Sequence, residues 1–337
     1  MTSLTPGVLR TPVLRLLALA CALLLVALLA GCGGSDDEGG ASDDAAAATR
    51  TVKDFAGNAV EVPTKPQRVV VVNDELTDDA LALGVKPVAI SKGQGQDGPP
   101  RYLADRVAGV PIVGDVNQPD LDKVLDADPD LIIVSYDFPE GPLAGQVAKL
   151  RKIAPTFVAS DPAKDEWKST LRQVGVALNR EAQAKDWLAR YEQRTAQVGR
   201  SLGKHAGAEV TIARWNPDGP TFMHAGTFAS TVVADLGLKR PKNQRTEGQG
   251  HGESLSLEAL GELEADWIFL SSLTADGDDA KALEQGVGSK AFKQLDAVKA
   301  GHVSQVDGSV WGAAGGALAS DVLIADVQKA LGGGATR

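Results

Sequence analysis

Few residues of this chain are equipped for covalent or metal chemistry. The four histidines, His205, His224, His251 and His302, include no His-x-x-x-His pair, so the spacing announces no zinc or manganese centre. The two cysteines, Cys21 and Cys32, both lie in the first 32 residues, which leaves the body without an internal disulfide or a thiolate site. Ser254 and Ser256 stand close to His251, the pairing a hydrolase would use, but no Gly-x-Ser-x-Gly places a nucleophile on a strand-to-helix elbow. Gly286-Val287-Gly288-Ser289-Lys290 lacks the Gly-x-x-x-x-Gly-Lys-Ser/Thr spacing of a phosphate loop. Cations and aromatic rings also stand at strand ends and in loops. Arg214-Trp215 follow the apolar run 209–213, Tyr136 follows the run ending at Ser135, and Trp311 begins a Gly-rich turn before the last helix. Arg101-Tyr102 follow the loose segment 93–100, and His251, between glycines, is the one histidine kept as a cleft residue, His205 and His302 reading as exposed. Phe222-Met223-His224 either line a cleft or belong to a hairpin. Trp167 and Trp187, at helical spacing, and Trp267, inside an apolar run, read as packing.

The elements that must position these residues alternate. Residues 51–62 alternate apolar and polar around Gly57-Asn58, the grammar of a hairpin, which Pro63 and Pro66 end. Arg68-Val69-Val70-Val71-Val72 suits a strand buried on both faces, and a helical pattern through Leu76, Ala80, Leu81 and Leu83 then stops at Gly84. Such alternation predicts an α/β fold with mainly parallel sheets flanked by helices. An internal echo divides it in two: Leu121-Asp122 leads to Asp130-Leu131-Ile132-Ile133-Val134-Ser135 as Leu257-Glu258 leads to Asp266-Trp267-Ile268-Phe269-Leu270-Ser271, at a constant offset of 136 residues (121 to 257, 130 to 266). Leu83-Gly84-Val85-Lys86 and Leu236-Gly237-Leu238-Lys239 repeat more loosely. Between the copies, residues 165–204 hold no proline and read as helices broken at Asn179-Arg180, the second spanning roughly 30 Å. The predicted organisation is therefore an N-terminal lobe over 51–164, connecting helices over 165–204 and a C-terminal lobe over 205–337, with a ligand cleft between the lobes. A helical connector permits only modest opening and closing.

The net charge of −10 argues against nucleic acid as a partner. Residues 1–31 carry Arg10 and Arg15, no acid, and an apolar stretch from Leu16 to Ala30, the pattern of an export signal that is too short to span a membrane comfortably. It ends in Leu29-Ala30-Gly31-Cys32, which resembles a bacterial lipobox and makes the Cys32 thiol the expected acceptor of diacylglycerol. Residues 32–50, too Gly-rich and polar to bury anything, read as a flexible tether. Removing residues 1–31 takes away two positive charges and no negative one, leaving −12. The expected product is extracytoplasmic and lipid-anchored to the cell membrane.

The hairpin before Pro63, Arg68–Val72 with Leu83-Gly84-Val85-Lys86-Pro87, Leu121–Ser135, Phe228–Pro241, Leu257–Leu270 and Trp311–Leu331 together resemble the lipid-anchored substrate-binding proteins of bacterial ABC importers, in the branch that handles iron-siderophores, haem and cobalamin. The resemblance implies two α/β lobes joined by a long connecting α-helix, no catalysis and no cofactor, and a non-covalently bound ferric siderophore, of hydroxamate type, as cargo. It raises Arg214, Tyr136 and Trp311 most as ligand contacts, with Trp215, Arg101, Tyr102 and His251 after them, and no residue bonded directly to metal. It also implies that a monomer docks on the ABC permease through one acid per lobe, here Asp122 and Glu258; the family usually has Glu in both places, so Asp122 is a departure. Haem or cobalamin would fit the same mechanism. A cell-envelope scaffold or an extracytoplasmic hydrolase stands as the reading from a different class.

Overall fold

The computed structural model describes residues 48–135, 145–160, 166–248, 250–313 and 315–332. Cys32, the export signal and Tyr136 lie outside them. The chain opens with the antiparallel hairpin of β1 (Thr49–Lys53) and β2 (Ala59–Pro63), in which Val52 faces Val60 across the ladder. Its turn is closed by the Asp54 carboxylate, which accepts the Asn58 backbone N–H at 2.8 Å. β1 includes Thr49 and Arg50, which composition assigns to the tether; Thr49 Oγ1 donates to Glu61 at 2.9 Å and Arg50 Nη1 to Glu181 at 2.9 Å, so both are held by the folded body.

The first large sheet is all parallel. Its strands are β3 (Val69–Val72), β4 (Ala89–Ile90), β7 (Leu131–Ser135) and β8 (Thr156–Ser160), in the order β4-β3-β7-β8, with the short pair β5 (Gly114–Asp115) and β6 (Gln118–Pro119) beside it. Helices α1 (Asp74–Ala82), α2 (Leu121–Asp126) and α3 (Gln146–Leu150) accompany it. After α4 (Trp167–Leu178) and α5 (Glu181–Ser201) comes the second sheet. It contains β9 (Val210–Asn216), β10 (Gly219–Phe222), β11 (Trp267–Ser272) and β12 (Val303–Gln305), in the order β10-β9-β11-β12. Here β10 returns antiparallel on β9, so residues 216–222 form a hairpin, while β9, β11 and β12 are parallel. Helices α6 (Phe228–Asp235), α7 (Gly277–Gly288), α8 (Lys290–Lys293), α9 (Asp296–Lys299), α10 (Gly308–Trp311) and α11 (Ala317–Leu331) complete the second half.

The echo in the sequence has a physical basis. Asp130 and Asp266 occupy matching places just ahead of β7 and β11, and each accepts backbone N–H groups at the entry to the neighbouring strand: Gln67 at 2.6 Å and Arg68 at 3.0 Å on Asp130, Glu209 at 2.8 Å on Asp266. The looser echo is a pair of helix ends. Gly84 and Gly237, at φ 80° and 79°, follow α1 and α6, and the next residue of each donates back five places, Val85 to Ala80 and Leu238 to Val233. Glycine takes that left-handed conformation without steric cost. The copies also differ: the segment after Asp120 is an α-helix whose first N–H groups the Asp120 side chain accepts, whereas Leu257–Leu263 is a 3-10 helix with no such cap.

Strand alternation sorts the core into three. Val70, Val72, Ile132 and Val134 face an outer cluster with Val113, Val124 and Leu150, and Ala213, Trp215, Ile268 and Leu270 face another with Leu283 and Phe292. The opposite faces of both sheets meet in one continuous cluster. It runs from Val69, Val71, Ile133 and Phe157, through Trp167, Val174, Trp187 and Tyr191, to Ile212, Phe269, Trp311 and Leu323. Trp167 sits at its centre, edge-on to Trp187, Tyr191 and Phe228 with centroids 6.0, 4.9 and 5.8 Å away. The break between α4 and α5 falls at Asn179, whose φ of 57° ends the first helix and whose amide donates to the Thr64 carbonyl at 2.9 Å.

Because Asp130 and Asp266 do similar work in each half, Asp130→Ala and Asp266→Ala are each expected to lower stability by about 0.5–1.5 kcal/mol, the net worth of hydrogen bonds that water can partly replace at these exposed positions. Urea denaturation of the two variants checks it, and an unchanged midpoint in either would remove that carboxylate from its role.

Candidate ligand-binding cleft

The C-terminal ends of the parallel strands converge. Asn73 follows β3, Ser135 ends β7, Arg214 lies near the end of β9, and Leu273 follows β11; all four line one cavity of about 450 Å3. Ends of parallel strands are where an open α/β sheet leaves a crevice, and here two sheets contribute one each. From the first half the wall also takes Glu75 and Gln94, and from the second half Met223, Thr227 and His251.

The second-half wall is held from behind. Arg240 is buried, and its guanidinium donates to the carbonyls of Val210 at 2.6 Å and Met223 at 3.0 Å and to Gln244 Oε1 at 3.0 Å. Burial pushes its pKa down to about 9. Met223 in turn bridges His251, and the His224 N–H donates to Gly250 at 3.0 Å, so the exposed His251 is carried on a strand-like contact. Arg214 is half-buried and gives Nη1 to the Gly312 carbonyl at 3.0 Å. Burial lowers its pKa while Asp279 acts in the opposite sense; a guanidinium remains charged at neutral pH under either influence.

The first-half wall depends on α1. Asp78 and Asp79, both buried, reach across to α11: Asp78 accepts the N–H groups of Leu318 at 2.6 Å and Ala319 at 2.8 Å, and Asp79 Oδ1 accepts that of Ala317 at 3.0 Å. Three of the four N–H groups a helix start leaves unpaired are thus satisfied by a different helix. Gly316 allows the approach, since a Cβ there would lie 2.6 Å from Asp79 Oδ1. Burial raises the Asp78 pKa to about 6, hydrogen bonds from Leu318, Tyr102 and Ala319 pulling the other way, and burial with the charges of Asp78 and Glu75 raises Asp79 well above the usual range.

This geometry belongs to a known group of proteins. The model of the family described as periplasmic binding protein matches residues 69–310. The chain belongs to the periplasmic binding protein family. Among relatives, the probable siderophore-binding lipoprotein YfiY of Bacillus subtilis is 31% identical over 83% of this chain and 87% of its own length. The iron(3+)-hydroxamate-binding protein FhuD of the same organism is 33% identical over 85% of this chain and 88% of its own. Among solved structures, Staphylococcus aureus SirA complexed with staphyloferrin B superposes with a TM-score of 0.70 at 30% identity, covering 84% of this chain and 98% of that one. The two-lobed α/β architecture expected from the sequence is the architecture of this family.

Of the expected contact residues, Arg214 and His251 meet in the cavity wall. Tyr136 lies outside the described residues, and Trp311, Trp215, Arg101 and Tyr102 are placed elsewhere. Trp311 is fully buried, stacked on Phe269 at 4.4 Å with its indole N–H donated to Asp326 at 2.9 Å, because α10 turns it into the shared core rather than toward the turn that follows. Trp215 points to the outer cluster, edge-on to Phe292 at 5.8 Å, since neighbours on a strand face opposite ways and Arg214 takes the cleft side. Arg101 donates to the Leu273 carbonyl at 2.8 Å and pairs with Asp307 at 2.5 Å, and so supports the wall from behind; Tyr102 donates to Asp78 at 2.8 Å. His205 and His302, expected to be exposed, are half-buried around Trp267, with His302 stacked on it at 4.2 Å. Asn73, Glu75, Gln94 and Thr227 were not legible as wall residues, although their positions just past predicted strands, or at the start of the helix that follows, are a usable signal.

The folded chain holds protons on Asp78 and Asp79 more tightly than the unfolded chain does. The contribution of Asp78 to stability is therefore fully present below about 3.8, its ordinary value, and is lost as pH rises through about 6. Asp79→Asn keeps an acceptor for the Ala317 N–H and removes the charge, so it is expected to melt at or above wild type at about pH 7.5, with the gap narrowing at about pH 5. Asp79→Leu is expected to lose about 1–3 kcal/mol at either pH. Thermal melts at the two pH values check both, and an Asn variant destabilised equally at each would contradict the assignment.

Proposed function

We propose that this protein is the extracytoplasmic receptor of an ABC importer, that it captures a ferric siderophore of hydroxamate type in the cleft between its two sheets, and that it delivers it to the membrane permease. The observation that carries the cargo class is the charge of the wall. Among its described residues the cavity presents one permanent cation, Arg214, together with the carboxylate of Glu75. A tris-catecholate iron(III) complex is a trianion and calls for several cations together, whereas a trihydroxamate core is neutral and calls for a few hydrogen-bond donors around its oxygens. The family relatives supply independent support, since FhuD of Bacillus subtilis is named for iron(3+)-hydroxamate binding. Binding is non-covalent and the cleft is largely preformed.

Arg214 is the ligand residue of the second half: it stands at a strand end in the wall, and its remaining donors serve the oxygens around the metal. His251 is a neighbour of that contact. Cys32 carries the lipid that keeps the protein at the cell membrane, with residues 33–47 as the leash. Docking on the permease uses Asp122 and Glu258, both exposed and both in the first turn of the echoed elements. The two large apolar side chains that stay exposed among the described residues support that surface. Leu125, 59% exposed, lies one helical turn from Asp122, and Leu257, 55% exposed, precedes Glu258.

Two outcomes test this reading. Calorimetric titration of the chain with a ferric trihydroxamate, a ferric tris-catecholate, haem and cobalamin is expected to give submicromolar binding to the first, and Arg214→Ala is expected to weaken it at least about tenfold with the fold intact. Unaltered affinity would take Arg214 out of the site. In cells, Glu258→Ala is expected to leave ligand affinity unchanged and to impair iron uptake; reduced affinity in that variant would show that the residue had been given the wrong role.

A further inference from the structure

Asn73 is the residue through which β3 becomes α1, and its backbone is unusual. At φ 156° and ψ 143° it occupies a region that residues with a side chain rarely adopt. The surroundings hold it there. The Thr77 N–H and hydroxyl donate to its carbonyl at 3.1 and 2.8 Å, and its Oδ1 accepts the N–H groups of Glu75 at 2.8 Å and Leu76 at 3.3 Å. The side chain is therefore a helix cap, and Asp or Ser would serve as caps equally well. What only the amide adds is Nδ2. With Oδ1 committed to the helix, the orientation of the carboxamide is fixed, Nδ2 has no hydrogen-bond partner among the described residues, and Asn73 stands in the cavity wall.

We infer that Asn73 is a ligand-binding residue, whose Nδ2 donates to an oxygen of the bound iron chelate from the first half of the chain while Arg214 donates from the second. The inference rests on the binding function proposed above and adds the residue that makes the grip two-sided. Two features of the position agree with it. An Asp here would place a second carboxylate in the wall beside Glu75, unfavourable toward an oxygen-rich ligand, and a Gly would relax the backbone but leave neither cap nor donor. Asn carries a cap acceptor and a neutral donor on two separate atoms of one short side chain, so one can serve the helix while the other faces the cavity.

The test uses the full chain, purified in detergent, with a ferric trihydroxamate as probe. Asn73→Ser retains a cap acceptor and takes away the amide donor, leaving only an O–H on the capping oxygen itself, about one bond short of the place of Nδ2, so its unfolding midpoint is expected to stay close to that of wild type while affinity falls about tenfold or more. Asn73→Asp, an equally good cap with no donor at neutral pH, provides the second reading, and the same loss of affinity is expected from it. Variants that fold and bind within about twofold of wild type overturn the inference and leave the binding function standing. A wild-type chain that binds no chelate overturns both, and the two failures are distinguished by whether wild type itself titrates. Should one variant fail to fold, the other decides by the same criterion.

Discussion

A pair of buried carboxylates on one helix takes up the first three N–H groups of another that lies 238 to 241 residues further along the chain. The shape of the cleft depends on that seat. Asp78 and Asp79 belong to the helix whose first turn forms the cavity wall, and α11 belongs to the half of the chain that supplies Arg214. A carboxylate in a dry interface tolerates little displacement, because each lost N–H contact leaves a buried polar group unpaired on both sides. The continuous apolar cluster around Trp167 acts in the same direction. The connector helices α4 and α5 are embedded in it, so they are part of a common core and not a free hinge between two independent bodies.

Rigidity of this kind suits a receptor. A preformed cleft loses little conformational freedom when it binds, so a small number of donors can provide specificity without large motions. Each wall is built by a different device. On one side a helix start is capped by Asn73, and on the other Arg240, which also donates to Gln244 Oε1, grips the Met223 carbonyl below its contact with His251. Arg101 joins the two halves near the same place, with Leu273 and Asp307 as its acceptors. Arg101 and Arg240, which look free in the sequence, are thus engaged in holding the walls, and among the described residues Arg214 is the cation that lines the cavity.

Local rules carried the reading of the chain a long way. The break at Asn179, the Gly84 and Gly237 helix ends and the Asp130 and Asp266 pair are all set by interactions within a few residues or within one repeated unit, so type and spacing reveal them. The same rules misplaced Trp311 and Trp215. For Trp215 the period of a strand contains the answer, because residues 214 and 215 cannot both face one cleft. For Trp311 it does not. The direction of that ring is set by a four-residue helix packing on β11, a contact that no local pattern records.

By itself the sequence determined the class of fold, its two-part repeat, the strands whose ends could form a site, and the presence of Arg214 at one of them. These follow from hydrophobic period, turn chemistry and composition, which are properties of neighbouring residues. Only the tertiary structure decided which side chains reach the cavity and which are spent on other contacts. Asn73 gained a role, and Arg101 and Tyr102 took another, because each depends on where an acceptor from a distant segment comes to rest: Leu273 and Asp307 for Arg101, Asp78 for Tyr102, and for Asn73 the helix turn that fixes its amide. Hydrogen bonds are short-ranged and directional, so the partner that a polar side chain finds is settled only when the whole chain has packed.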